Sequence, residues 1–391
     1  MSWFLAFLGF AVLVIFHELG HFAAAKAVGM RVERFSLFFP PKLFGIRRGE
    51  TEYMVGAIPL GGYVKITGMN PEEDLPPELK ARSYSGSPVW KRIFVIAAGP
   101  FVNLVIAFLI LFGIFWAQGR PIPGITVGEL EPGSPAAQVL QKGDRLTGAT
   151  LTRGGQTVTL QGDPGGKVSA KQVERLQTAL VTAIASGACD AKVVGKAAGG
   201  LPKVEQCATP GKVTVHYVRD GQAGSAPITP RFDDKLQRYR LGLAFEGRRE
   251  AIGPVTSSGE AVSGMWSVTT ATVSAIGKLF YDSTARKQVS GVVGSYEVTR
   301  QSISVDPILT LQIIALISLS LAVVNLFPFL PLDGGHIFWA IVEKLRGGRP
   351  VSTATLEKAS FVGILLVAVL FTIGLSNDIG RLTSGEGFGL R

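Results

Sequence analysis

Residues 3 to 16 carry no charge, and this apolar run, which begins at Ser2, ends in Phe16-His17-Glu18-Leu19-Gly20-His21-Phe22. A segment of that kind reads as a retained helix crossing a hydrocarbon core, which takes about 20 residues. His17 and His21 are four apart, so on a helix they project from one face. Two imidazoles so placed can share a zinc ion, with Glu18 beside them as general base toward water. Ionisable groups at membrane depth are expensive and tend to be functional. The competing reading is a helix end where polar residues meet lipid headgroups. A cleaved secretory signal fits less well, because no Lys or Arg precedes the apolar run and no small-residue cleavage site precedes the histidines.

Three further apolar segments, 93–117, 308–330 and 360–376, bring the expected membrane crossings to about four. Composition agrees: 47% of the 391 residues are hydrophobic and 17% charged, with mean hydropathy +0.33. The fold class is therefore a mainly α, multi-pass membrane protein. Net charge is +10, yet no basic stripe interleaved with aromatics occurs, so nucleic acid is excluded as a partner. The surplus suits membrane lipids with anionic headgroups and cytoplasmic loops. Residues 26–92 hold eleven Lys or Arg, and Lys344, Arg346, Arg349 and Lys358 follow the third segment. The positive-inside rule makes both stretches cytoplasmic. The termini and the long 118–307 segment are then extracytoplasmic, in a cell (inner or plasma) membrane.

Within the first loop, Tyr53 to Lys65 is apolar and glycine-rich, and Pro59 with the glycines argues against a helix. A β-hairpin in or against the membrane is expected there, with an edge that could pair with an extended substrate. An ordinary turn is the alternative. The extracytoplasmic segment opens with Ile125 to Leu130, Glu131-Pro132-Gly133-Ser134-Pro135 and Lys142-Gly143-Asp144-Arg145-Leu146, which resemble the strand, short helix and turn of an α+β PDZ domain. The amphipathic 170–186 stretch suits its longer helix, and Lys212 to Asp220 alternates like a strand. Residues 187–211 form an insertion holding Cys189 and Cys207, which are expected to pair as a disulfide outside the cytoplasm. His216 has no ligand partner near it in sequence and reads as structural. Three parts result: 1–118 with the histidine helix, cytoplasmic loop and second crossing; 119–250, PDZ-like; and 251–391, a linker and C-terminal membrane part.

A catalytic zinc site commonly takes three protein ligands and keeps one position open. The candidate third ligand is Asp333, in Asn325-Leu326-Phe327-Pro328-Phe329-Leu330-Pro331-Leu332-Asp333-Gly334-Gly335-His336. Pro328, Pro331 and the glycine pair break the third crossing, and irregular backbone at that depth is tolerated inside protein or beside a wet cavity. The alternatives are that Asp333 caps the following helix, or that His336 is the ligand.

Together these motifs resemble the site-2 protease family of M50-type intramembrane zinc metalloproteases. The resemblance rests on His-Glu-Leu-Gly-His, on Asn325, Pro328 and Asp333-Gly334-Gly335, on the PDZ-like insert, and on Gly61 to Lys65 and Gly99-Pro100-Phe101-Val102-Asn103. It covers nearly the whole chain and is closest to the bacterial branch that cleaves anti-sigma factors and related single-pass proteins. The resemblance implies Zn2+ held by His17, His21 and Asp333, Glu18 as catalytic base, and Asn325 near the substrate backbone. Its substrates would be single-pass transmembrane proteins, filtered by the PDZ-like domain. Gly99, Pro100 and Asn103 read as helix packing. Two features depart from the family pattern: the proline expected two residues after Pro328 stands three after, and the PDZ-like part carries the cysteine insertion. The rival functions are a catalytically silent, membrane-anchored PDZ scaffold and a transporter with a broken-helix ion site. The first needs an incomplete zinc site, and the second predicts internal repeats, which are not found.

Overall fold

The computed structural model describes residues 1–70, 73–122, 124–153, 156–161, 193–196, 202–204, 211–234 and 238–384. Chain contacts divide into two units, Met1–Ala117 with Gly253–Arg391, and Gln118–Ile252. The longer helices of the first unit are α1 (Ser2–Ala27), α2 (Val89–Gln118), α3 (Pro254–Lys278), α4 (Val292–Val305), α5 (Pro307–Asn325), α6 (Asp333–Leu345) and α7 (Thr353–Ser384). Of these, α1, α2, α5 and α7 are long and apolar enough to cross a membrane. Their outward faces keep large apolar side chains exposed, among them Phe4, Phe101, Phe361 and Leu365. In water these would form a large adhesive surface; in a bilayer they face lipid tails.

The stretch that sequence reading treats as linker contains α3 and α4. Helix α3 is rich in Ser, Thr, Val and Gly, weak helix formers that give no span-like signal. Packing supplies the missing stability: Met265 and Val268 lie on a cluster formed by Ala107 of α2 with Leu319 and Val323 of α5. Helix α4 has Gly291 as its N-cap residue and so no side-chain cap of its own. Asp378 of α7, fully buried, fills that role by accepting from Gly291 N at 3.0 Å, Gly294 N at 2.7 Å and Ser290 Oγ at 3.1 Å.

Between α1 and α2 the chain forms two long antiparallel strands, β1 (Val32–Arg48) and β2 (Thr51–Ile66). The pair folds over on itself, because Phe35 faces both Tyr53 and Val64, and Ser36 both Met54 and Tyr63. The result is a small sheet in which 34–37 lies between two parts of β2, with 62–65 at one edge. Tyr53 to Lys65 is thus not the self-contained hairpin expected from the sequence but part of the single strand β2, whose partner is β1 and whose chain reversal lies at residues 49–50. The Val32–Arg48 half gives no clear strand signal because its alternation is broken by Pro40, Pro41 and Gly45.

The second unit holds a four-stranded antiparallel sheet in the order Gln222–Ile228, Val213–Arg219, Arg145–Arg153, Gln156–Gln161. Its core joins Val127, Leu140, Leu146, Val213, Val215 and Ile228. His216 lies in this sheet with Nε2 2.7 Å from Thr150 Oγ1. Residues 170–186, Cys189 and Cys207 fall outside the described residues. Asp144, 1% exposed, accepts two hydrogen bonds of 2.7 Å from Arg219. The guanidinium, helped by the Gln141 N–H, holds the Asp144 carboxyl below its ordinary range. A carboxyl depressed in the folded state adds stability above its unfolded pKa of about 3.9 and loses it as pH falls through the lower folded value. Arg219→Ala is therefore expected to lower the unfolding temperature by several degrees at pH 7. Thermal unfolding followed in detergent should show that gap narrowing as the pH is taken below about 4.

Candidate metal centre

His17 and His21 stand one turn apart on α1, 7% exposed each. Their Nε2 atoms are 3.3 Å apart. Oδ2 of Asp333, from the start of α6, lies 3.3 Å from His17 Nε2 and 3.4 Å from His21 Nε2. Among the described residues these three side chains form the cluster able to hold a metal ion.

The donor set fits zinc. Bonds of about 2.0–2.2 Å to nitrogen and oxygen place the corners of a tetrahedron roughly 3.3–3.5 Å apart, which is the spacing seen between all three atoms. Asp333 Oδ2 is also buried and receives no hydrogen bond. A carboxylate oxygen left without a donor among two imidazole nitrogens is poorly satisfied by the protein alone and well satisfied by a cation.

Asp333 reaches this point because α5 stops at Asn325 and the chain doubles back through a tight loop before α6. The loop is held by Phe329 N to Phe327 O at 2.8 Å and Leu332 N to Phe329 O at 2.9 Å. Gly334 and Gly335 sit against its backbone; a Cβ on Gly334 would overlap the Leu326 carbonyl, and one on Gly335 would meet Leu330 N at 2.5 Å. At the other end of α6, Glu343 takes a bidentate pair from Arg92 of α2, at 2.9 and 2.6 Å. The capping alternative for Asp333 does not describe this helix, whose N-cap is Leu332 with no side-chain cap bond. His336 lies on the same helix but outside the converging cluster.

Helix α2 backs both histidines. His21 Nδ1 donates to the Val95 carbonyl at 2.9 Å, which leaves its Nε2 as a lone pair facing the centre. Gly99 lies directly against His21, so that a Cβ there would overlap Nε2 itself, while a Cβ on Gly20 of α1 would come within 2.6 Å of the Ala98 carbonyl oxygen. The two glycines let the helices approach closely enough for the ring to reach α2. Gly99→Ala is expected to displace His21 and to strip the protein of bound metal, read as metal content after purification.

Glu18, next to His17, has its Cγ where a Cβ on Gly62 would come within 2.9 Å. The sheet edge 62–65 thus runs flush with Glu18 because residue 62 has no side chain. Asn325 Nδ2 is 3.4 Å from His17 Nε2. Trp90 and Trp116, both largely exposed, stand about 39 Å apart along α2, close to a bilayer with its interfacial zones. Gly99 is about 14 Å from the Trp90 end, well inside this span-length helix. From sequence, Gly99 and Asn103 read as helix packing and Val95 as an ordinary apolar position; all three touch the histidines. For Gly99 and Asn103 the available signal was their four-residue spacing opposite an apolar helix carrying two histidines. A backbone carbonyl such as that of Val95 leaves none.

The peptidase family M50 profile matches residues 5–370. A Rhizobium meliloti protein described as a zinc metalloprotease is 29% identical over 394 residues, covering 95% of this chain and 94% of its own. The regulator of sigma-E protease RseP of Salmonella typhimurium is 28% identical over 442 residues, covering 95% and 96%. An Agrobacterium fabrum protein, also described as a zinc metalloprotease, is 29% identical over 399 residues, covering 95% and 94%.

Proposed function

The chain belongs to peptidase family M50, the site-2 protease family, and from that premise we propose that it is a zinc-dependent intramembrane endopeptidase. It hydrolyses a peptide bond within or near the transmembrane segment of single-pass membrane proteins. The observation that carries this reading is the convergence of His17 Nε2, His21 Nε2 and Asp333 Oδ2 on one point beside the span-length helix Ser2–Ala27, with Glu18 adjacent. A silent scaffold would need an incomplete centre, and this one has all its parts.

His17, His21 and Asp333 would hold the zinc. Bound there, zinc supplies Lewis acidity, lowering the pKa of water to about 7 and polarising a carbonyl. Glu18 takes the proton of the attacking water and passes it to the leaving amine. Asn325 Nδ2, beside His17, is placed to hold the substrate backbone. The 62–65 edge, flush with Glu18, offers main-chain hydrogen bonds to an extended peptide. A transmembrane helix must unwind locally to use that edge, since its own carbonyls are already hydrogen-bonded.

The chain is read as a multi-pass protein of a cell (inner or plasma) membrane, with its termini and the second unit outside the cytoplasm; the Lys/Arg content of 26–92 and 344–358 supports that orientation. That unit is read as a PDZ-like filter favouring substrates already shortened on the outer face. The Salmonella relative is named for regulating sigma E, and the substrate here is assigned to the corresponding class, membrane-anchored anti-sigma factors. The test is incubation with tagged single-pass substrates in liposomes, with products mapped by mass spectrometry. The expected cut falls in or beside the membrane segment. Cleavage of free soluble peptides alone, with membrane-anchored substrates intact, would overturn the reading.

A further inference from the structure

Val95, Gly99 and Asn103 recur every four residues on α2 and so form one helix face. Val95 and Gly99 serve His21, as described above. Asn103, fully buried, serves His17: its side-chain amide nitrogen lies 3.2 Å from His17 Nδ1. The other half of that amide, Oδ1, is buried with no hydrogen-bond partner.

We propose that Asn103 is the positioning residue that holds His17 with Nε2 toward the metal, completing a rail on α2 that orients both imidazoles. The inference rests on the zinc reading given above. A neutral imidazole bound through Nε2 carries its one proton on Nδ1 and must donate from there. Its neighbour must then be an acceptor. A half-turn of the Asn103 amide about Cβ–Cγ exchanges nitrogen for oxygen and brings the unpartnered Oδ1 to Nδ1. The acceptor for His17 is thus a side chain, where His21 uses the Val95 carbonyl. Partners of this kind fix the ring and its tautomer, and losing one typically weakens metal binding 10- to 100-fold. The backbone at this point is held separately, since Ser318 Oγ of α5 donates to the Asn103 carbonyl at 2.9 Å. That bond survives replacement of the side chain.

The experiment compares zinc affinity, by chelator competition, of the full-length wild type, Asn103→Leu and Asn103→Asp in detergent. Leu fills the space without an acceptor; Asp restores a carboxylate oxygen. Unfolding temperatures of the metal-free proteins check that the fold is intact. Asn103→Leu is expected to bind zinc about 10- to 100-fold more weakly, and Asn103→Asp to return to within a few-fold of wild type. Equal affinity in Asn103→Leu, or no recovery in Asn103→Asp, would overturn the assignment. His17→Ala serves as the reference: if it too binds like wild type, the zinc reading itself fails, and the inference with it.

Discussion

Glu18→Gln is expected to abolish cleavage while leaving zinc in place. Glutamine matches glutamate in shape but cannot take a proton from water, and positioned acid–base groups contribute roughly 100- to 10,000-fold. Glu18 is not among the three converging ligand atoms, so the metal has no reason to leave. The comparison needs both readouts on the same preparation: product formation from a single-pass substrate and zinc per protein. Full zinc with no product assigns Glu18 to proton transfer. Loss of zinc would make Glu18 a ligand, and retained cleavage would move the base elsewhere.

Asp333→Ala is expected to remove both activity and metal. Oδ2 is the oxygen of the triad, and without it two imidazoles 3.3 Å apart face a buried gap. The loss of affinity should exceed the 10- to 100-fold that outer-shell partners carry, leaving the purified protein close to metal-free. His336→Ala is the matched control, since His336 lies on the same helix but outside the cluster. It should keep its zinc. The opposite pattern, zinc lost from His336→Ala and kept in Asp333→Ala, would exchange the two assignments.

How far the sequence spoke depended on how local each signal was. His17, Glu18 and His21 could be read because their relation is one helical turn within one segment. The four span-length helices can be read because length and apolarity are properties of a single helix. Asp333 needed more: the broken third segment showed that something irregular sits at depth, but only the folded loop shows Asp333 turned toward the histidines. The face of α2 was harder still. Gly99 and Asn103 look like ordinary close packing, and their meaning lies in His21 and His17 on another helix. Helix α3 was invisible for a different reason, since its Ser- and Thr-rich sequence becomes helical through packing on α2 and α5. The doubled β1–β2 sheet depends on pairing in which one segment serves two partners, which alternation along the chain cannot reveal.

The most direct test of the account is metal removal and return in liposomes. Wild-type protein would be stripped of zinc with a chelator, its metal content measured, and its cleavage of a tagged single-pass substrate followed before and after zinc is restored. Cleavage is expected to disappear with the metal and return with it, and zinc to restore nothing to Glu18→Gln. Undiminished cleavage by protein verified to be metal-free would contradict the zinc reading.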